Sequence, residues 1–333
     1  MILKILKWFL LTAVVLILGL MLVLQIGSSR SLDQNKTYSK TVSTLPVFSA
    51  QSSSQLVRIK ANGFEYRARI AGFGGDDKPA VVLLHGFPVS SAMWVPLIEA
   101  LELAGYRVLA FDQRGYSPGA RPGDSANYTV DKLREDVMAV TKAVGLQQFH
   151  LIGHDWGAVV GWNVVMEYPQ NILSWTALSI AHPAAFAEAL ENDPDQKSRS
   201  SYFMFFVTPW LPEVLFSFND FKMLRSFYQN MSEQQQTEYL TLFSEDGALT
   251  AALNWYRALM ITMARPAEMA SKVDTSTLFI WGNKDTAVGR YGVEAQVQYM
   301  TGPFREVELN AGHWLLEDQP KAIIENVLQH LAQ

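Results

Sequence analysis

Between Trp8 and Ser29 the chain carries no charge, and as far as Ile26 it is almost continuously Leu, Val, Ile, Ala and Met, with Lys4 and Lys7 ahead of it. About 19 such residues rising 1.5 Å each in a helix reach roughly 28 Å, close to the thickness of a bilayer's hydrocarbon. The pattern predicts a single-pass anchor over residues 1–29 that meets lipid through residues 8–26. A cleavable signal peptide is the competing reading, because Gly27 and Ser29 are small enough to flank a cleavage site, although the apolar stretch is long for that role. Lys4, Lys7 and the α-amine favour a cytoplasmic N-terminus with the rest of the chain exported, while Arg30, Lys36 and Lys40 pull the other way.

Residues 30–55 are rich in Ser, Thr, Gln and Lys with little apolar periodicity, the pattern of a linker. Two β-rich runs follow within Leu56 to Gly72, separated by Asn62-Gly63, a hairpin signal because both residues tolerate φ > 0. Strand and helix then alternate. Ala80–Leu84, Arg107–Phe111, Phe149–Ile152 and Trp175–Ile180 read as strands, with helical stretches such as Ala92–Leu103 and Val130–Val144 between them. Uniformly apolar runs joined by helices imply a mostly parallel sheet flanked by helices on both faces. From 183 to 272 strand signals almost vanish, and helical segments rich in aromatic residues and Met take over, one opened by a capping box at Ser232 to Gln235. Alternation resumes over 273–333 with Thr277–Trp281, a helix near Val293–Met300, Arg305–Leu309 and a closing helix from Pro320 to Leu331. The expected architecture is α/β: a core in two parts, 56–182 and 273–333, interrupted once by a helical cap at 183–272.

Composition narrows the chemistry. At 333 residues the chain has room for one large α/β domain with an insertion, and a net charge of −5 without any Lys/Arg block speaks against a nucleic-acid partner. With no cysteine, disulfides and thiolate metal sites are excluded. The six histidines lack metal-ligand spacing, so no metal and no cofactor are expected.

What remains is chemistry carried by side chains. The run from Phe149 ends in Gly153-His154-Asp155-Trp156-Gly157 and passes straight into a helical pattern, the strand-turn-helix context of a nucleophile elbow. Asp155 stands where an esterase has serine. A carboxylate there attacks a saturated carbon, displacing a halide or opening an epoxide, and leaves an alkyl ester for water to cleave. Taken alone, Asp155 also reads as a buried structural residue, Asp285 as a turn residue and His313 as a loop histidine. Each nevertheless follows a strand, and nucleophile, acid and histidine come in the chain order of an α/β-hydrolase triad. The ester would require a base, for which His313 is the candidate, and Asp285 would hold its imidazole in the right tautomer.

His85-Gly86-Phe87-Pro88, Asp112-Gln113-Arg114-Gly115-Tyr116, Gly153 to Gly157 and Ala311-Gly312-His313-Trp314-Leu315 resemble motifs of the α/β-hydrolase fold superfamily, most closely its epoxide hydrolase branch, whose neighbours are the haloalkane dehalogenases. The likeness runs from about Leu56 to the C-terminus. It implies catalytic roles for Asp155, His313 and Asp285, and backbone N–H groups of Phe87 and Trp156 as oxyanion donors, with a cis Phe87-Pro88 bond. In the cap it implies Tyr202 and Tyr256 as acids for the departing alkoxide, and around them a substrate pocket including His85, Pro88, His154 and Trp314. Tyr256 also falls on an apolar helix face with Leu249, Leu253, Met260 and Met263, so a plain core tyrosine is the alternative. Val207-Thr208-Pro209-Trp210, beside Tyr202, departs from the commonest family pattern.

Three readings follow. An epoxide hydrolase with a small-molecule epoxide as substrate is favoured by Phe87 and the two tyrosines. A haloalkane dehalogenase would use the indole of Trp156 for the halide but lacks the Asn or Trp donor usual at position 87. A ligand-binding protein that kept the fold and lost the chemistry is the third.

Overall fold

In a computed structural model, which describes residues 2–33, 42–51, 55–74, 78–262 and 271–333, the apolar N-terminal run is helix α1 (Ile2–Asp33). Its side chains from Phe9 to Ile26 are exposed almost throughout. The helix continues past residue 29, and just before that point Gln25, Gly27 and Ser28 pack against the cap. The expected linker over 30–55 lies partly outside the described residues, and its described part is not free. Phe48 N–H donates to Arg58 O at 2.9 Å, Arg58 N–H donates to Pro46 O at 2.8 Å, and the Phe48 ring meets Phe73 edge-on at 5.3 Å. The isolated apolar residues Val42 and Phe48 are what hold this polar stretch to the domain, with Val42 itself buried.

The hairpin β1 (Leu56–Ala61) and β2 (Phe64–Ala71) turns at Asn62 and Gly63 with φ of 49° and 77°, as two residues tolerant of positive φ allow. The remaining strands are β3 (Ala80–Leu84), β4 (Arg107–Phe111), β5 (Phe149–His154), β6 (Ile172–Leu178), β7 (Thr277–Gly282) and β8 (Phe304–Leu309). They form one sheet in the order β1-β2-β4-β3-β5-β6-β7-β8, antiparallel at the hairpin and at β2 against β4, parallel elsewhere. β3 and β5 are central, buried along nearly their whole length, which is why they read as apolar runs without alternation. β6 starts and stops earlier than its apolar run suggests, because Ser179 takes φ 70° and breaks the extended backbone.

Helices α2 (Val95–Leu103), α3 (Val130–Ala143) and α4 (Trp156–Glu167) connect β3 to β4, β4 to β5 and β5 to β6. A 3-10 turn at Ser91–Trp94 precedes α2, whose Pro96 sits where a helix tolerates proline, in its first turn. Between β6 and β7 the described chain holds α5 (Pro183–Asn192), α6 (Pro194–Arg199), α7 (Tyr202–Phe206), α8 (Leu211–Arg225), α9 (Glu233–Phe243) and α10 (Ala248–Thr262). β6 and β7 are paired neighbours, Trp175 opposite Thr277, so this helical insertion leaves the sheet unbroken and rises from the carboxyl edge of its strands. α9 opens with the expected capping box between Ser232 and Gln235. α8 is broken at Asn219, Asp220 and Phe221, all with φ between 52° and 58°. Met263, on the expected Tyr256 face, lies outside the described residues. After β7 come α11 (Arg290–Ala295), α12 (Leu315–Asp318) and α13 (Pro320–Leu331); the helix expected near Val293–Met300 is split between α11 and a 3-10 turn at Gln296–Tyr299.

Candidate active site

Asp155 stands between β5 and α4 with φ 53° and ψ −124°, a conformation that costs a non-glycine residue on the order of 1–3 kcal/mol. The turn is possible only with glycine on both sides. A Cβ on Gly157 would lie 2.0 Å from the carbonyl oxygen of Leu84, and one on Gly153 would lie 2.4 Å from that of Gly157. The chain therefore leaves β5 so sharply that the Asp155 side chain stands at the carboxyl edge of the sheet, beneath the cap.

Three loops converge on that carboxylate. From the β3 exit, the Phe87 N–H donates to Asp155 Oδ1 at 2.8 Å, and the Phe87-Pro88 bond is cis. From the β8 exit, His313 Nε2 lies 3.6 Å from Asp155 Oδ2. From the β7 exit, Asp285 Oδ2 is 2.9 Å from His313 Nδ1, while its Oδ1 accepts from Ala287 N–H at 2.7 Å and Val288 N–H at 3.1 Å. Both oxygens of Asp285 are thus held, one by the imidazole and one by two backbone N–H groups.

The electrostatics follow from this enclosure. Burial disfavours charge on Asp155, but His313 and the Trp156 N–H outweigh it and hold the carboxyl below its ordinary range. Asp285 is likewise held down against burial, by His313 and by the Ala287 and Val288 N–H groups. Burial also opposes charge on His313, yet the two carboxylates push it up to about 10. At neutral pH the three groups rest as carboxylate, imidazolium and carboxylate.

Tyr202 opens α7 and Tyr256 lies mid-way along α10, with ring centroids 6.3 Å apart. The Tyr256 ring is wedged among Trp156 at 5.0 Å, Phe206 at 4.9 Å and Phe87 at 5.5 Å. Burial, reinforced by nearby negative charge including that of Asp155, pushes both phenols well above their ordinary value and keeps them as neutral donors.

Asp155, Tyr202 and Tyr256 line both arms of a divided cavity. A narrow arm of about 80 Å³ runs between Val159, Ile180, Phe186, Phe203 and Leu259. A wide arm of about 390 Å³ runs past Pro88, Phe206, Phe216, Met223, His313 and Trp314. Pro88 and Trp314 thus stand where a pocket is expected, but His85 and His154 do not. His85 is fully buried below the loop, with Nε2 accepting from Gln113 N–H at 3.1 Å and Nδ1 facing Gly86 O at 3.0 Å. His154 is turned beneath the site, its Nε2 2.8 Å from the carbonyl oxygen of His313, and burial pushes it down to about 4, so it is a neutral donor that braces the His313 loop. Both are local framework because adjacent residues of a strand and its exit point in alternate directions.

Glu238, on cap helix α9, is absent from the motif reading. Its Oε1 accepts from Arg67 Nη1 at 3.0 Å and Ser90 Oγ at 2.8 Å, and its Oε2 accepts from Arg69. Arg67 also holds Asp112 at 3.0 Å, whose other oxygen accepts the Ser91 N–H at 2.9 Å. This network ties the cap to β2 and to the loop following Pro88. The signal for it was Arg67-Ala68-Arg69, two cations on one face of an otherwise buried strand, which require an anionic partner.

Residues 79–320 match the alpha/beta hydrolase fold family. Human epoxide hydrolase 4 is 35% identical over 279 residues, covering 80% of this chain and 75% of that protein. The AB hydrolase superfamily protein YfhM of Bacillus subtilis is 32% identical over 272 residues, 79% of this chain and 93% of that one. The solved structure of an epoxide hydrolase from Bacillus megaterium shares the fold, with a TM-score of 0.75 at 22% identity over 83% of this chain and 100% of that chain. A family match over residues 79–320, together with a relative this similar, leads to one conclusion: the chain belongs to the alpha/beta hydrolase fold family, on its epoxide hydrolase branch.

Proposed function

We propose that this protein hydrolyses epoxides to vicinal diols through an ester on Asp155. The observation that carries the reading is the confrontation, across one apolar cavity, of the Asp155 carboxylate with two un-ionised phenols whose rings lie 6.3 Å apart. A nucleophile and a proton donor on opposite sides of a small ring are what opening an epoxide requires. Asp155 attacks a ring carbon, the C–O bond breaks, and the departing oxygen takes a proton from the Tyr202–Tyr256 pair. The product is a hydroxyalkyl ester and a tyrosinate.

Esterification removes the charge of Asp155, one of the two carboxylates that keep His313 protonated, while the new tyrosinate is a stronger base than imidazole. The imidazolium proton therefore passes to the tyrosinate, and His313 becomes the neutral base that the second step needs. It deprotonates water, the hydroxide adds to the ester carbonyl carbon, and the oxyanion is met by the N–H groups of Phe87 and Trp156. Collapse releases the diol and restores Asp155 as carboxylate and His313 as imidazolium, with atoms and charge balanced over the cycle.

A dehalogenase reading draws on the Trp156 indole but finds a phenyl ring at position 87, packed against Phe206 at 5.4 Å and Tyr256 at 5.5 Å. That ring has no N–H to offer a halide. We also read Phe9–Ser28 as the membrane anchor, its exposed Leu, Val and Ile side chains requiring an apolar surround. Lys4 and Lys7 favour an N-terminus on the cytoplasmic side. Incubation with a panel of aryl and alkyl epoxides and matched haloalkanes tests the reaction. Diol formation without halide release is expected; halide release without diol would transfer the assignment to a dehalogenase.

A further inference from the structure

Helix α8 serves the anchor and the cavity at once. Phe216 lines the wide arm, 6.0 Å from the Phe87 ring; the next residue, Ser217, is hydrogen-bonded to Ser28 of α1; and Phe218 lies over Gly27, where a Cβ would come within 2.5 Å of its ring. Just ahead of α8, the Trp210 indole donates to the Gln25 side chain at 3.1 Å. The foot of the apolar helix is therefore seated on the element that walls the cavity.

Beside that foot and along α7 and α8, three large apolar side chains stand exposed. Met204 is 73% exposed, Trp210 41% and Met223 43%, and Met223 also lines the wide arm. Exposed Lys222 and Arg225 flank Met223, with Arg225 paired to Asp220 at 2.8 Å. An indole level with the end of a membrane-length helix, apolar side chains beside it and cations at the rim are the features of a surface that lies in a bilayer's headgroup region.

We propose that this edge of the cap rests on the bilayer, and that lipophilic epoxides reach Asp155 from the lipid through the wide arm. The proposal rests on Phe9–Ser28 being a membrane span and, for the substrate, on the epoxide reading. Docking Gln25 to Ser28 against Trp210 and Ser217 fixes the height of the cap at the membrane surface, so Met223 and the cavity mouth face acyl chains rather than water. An apolar substrate concentrated in the bilayer then passes between two apolar environments without crossing the aqueous phase.

The chain has no cysteine, so single nitroxide labels can be placed without background. Full-length Met204→Cys and Trp210→Cys, labelled and reconstituted in phosphatidylcholine vesicles, are compared with Leu103→Cys, which is 90% exposed at the opposite edge of the sheet. Oxygen should relax the labels at 204 and 210 more than a water-soluble nickel chelate does, with the reverse at 103. Met204→Glu combined with Trp210→Glu should slow turnover of an octadecyl epoxide held in the vesicles by roughly tenfold, leaving a small water-soluble epoxide within about twofold. Labels at 204 and 210 as open to the chelate as that at 103 would overturn the docking face, as would burial that develops with protein concentration in the absence of lipid, which marks a second copy of the chain. Equal slowing of both substrates would overturn the lipid route. Bilayer depth at 204 and 210 without turnover of either epoxide would uphold the face and sink the epoxide reading instead.

Discussion

Replacing Tyr256 by Phe removes one oxygen from the site and little else. The ring is packed on Trp156, Phe206 and Phe87 at centroid distances of 5.0, 4.9 and 5.5 Å, and all three contacts survive the change. Stability should therefore shift by no more than about 1 kcal/mol, the worth of one lost hydrogen bond. The kinetic cost is of another size. Of two donors facing the departing alkoxide one remains, and losing such a donor slows a step by roughly 10- to 1,000-fold, or about 1.4–4 kcal/mol in the barrier. Tyr202→Phe should behave alike, and the double change should cost less than the product of the two, because both phenols line the one cavity and would serve the same departing oxygen. Only alkylation should suffer, since in the proposed cycle ester hydrolysis is left to His313 and the backbone donors. Stopped-flow tryptophan fluorescence under single-turnover conditions separates the steps, Trp156 lying against Tyr256 and next to Asp155. If either single variant alkylated at the native rate while melting normally, the phenols would be packing residues and the acid role would be refuted.

Glu238→Gln should lower the melting temperature through the loss of a buried ion-pair partner, a change worth roughly 3–5 kcal/mol, and should slow alkylation more than ester hydrolysis, because the cap carries the phenols and the core carries the base. Equal slowing of both steps would contradict the clamp. Glu317 is pushed up to about 7 by burial, and its Oε2 has no hydrogen-bond partner among the described residues. A raised carboxyl binds its proton more tightly folded than unfolded, so the stability it contributes is present below its unfolded pKa and is lost as pH rises through about 7. Glu317→Gln should thus stabilise the fold at pH 8 by on the order of 1–3 kcal/mol, read as a higher melting temperature, and leave it nearly unchanged at pH 4.5. An equal shift at both pH values would show that ionisation is not the cause.

The parts of the molecule legible in the chain are those whose cause is local. Asn62-Gly63 announces its hairpin because both residues must take positive φ, and Gly153 and Gly157 mark the elbow because a Cβ at either meets backbone. The positions of Asp155, Asp285 and His313 follow from strands that end side by side, which ordering along the sequence already suggests. What eluded the pattern depends on long-range pairing. Nothing near Glu238 announces Arg67 and Arg69, and nothing near Ser28 announces Ser217. His85 and His154 flank the motif positions, and only the hydrogen bonds to Gln113 and to the carbonyl of His313 turn them from pocket to framework. The break in α8 at Asn219 to Phe221, where three successive residues take φ between 52° and 58°, has no counterpart in the reading of the cap as helical segments.

The claim on which the account stands is that Asp155 becomes covalently bonded to the substrate, and His313→Ala isolates it. Without the base, alkylation should proceed and hydrolysis should stop, so the ester accumulates. Intact-protein mass spectrometry after incubation with a reactive aryl epoxide should show a gain equal to the full mass of the epoxide, since ring opening expels no atom. Peptide mapping should place it at Asp155, and Asp155→Ala in the same background should abolish it. A gain of only an alkyl group, seen with a haloalkane and never with an epoxide, would contradict the epoxide reading, and an adduct that persists without Asp155 would contradict the nucleophile itself.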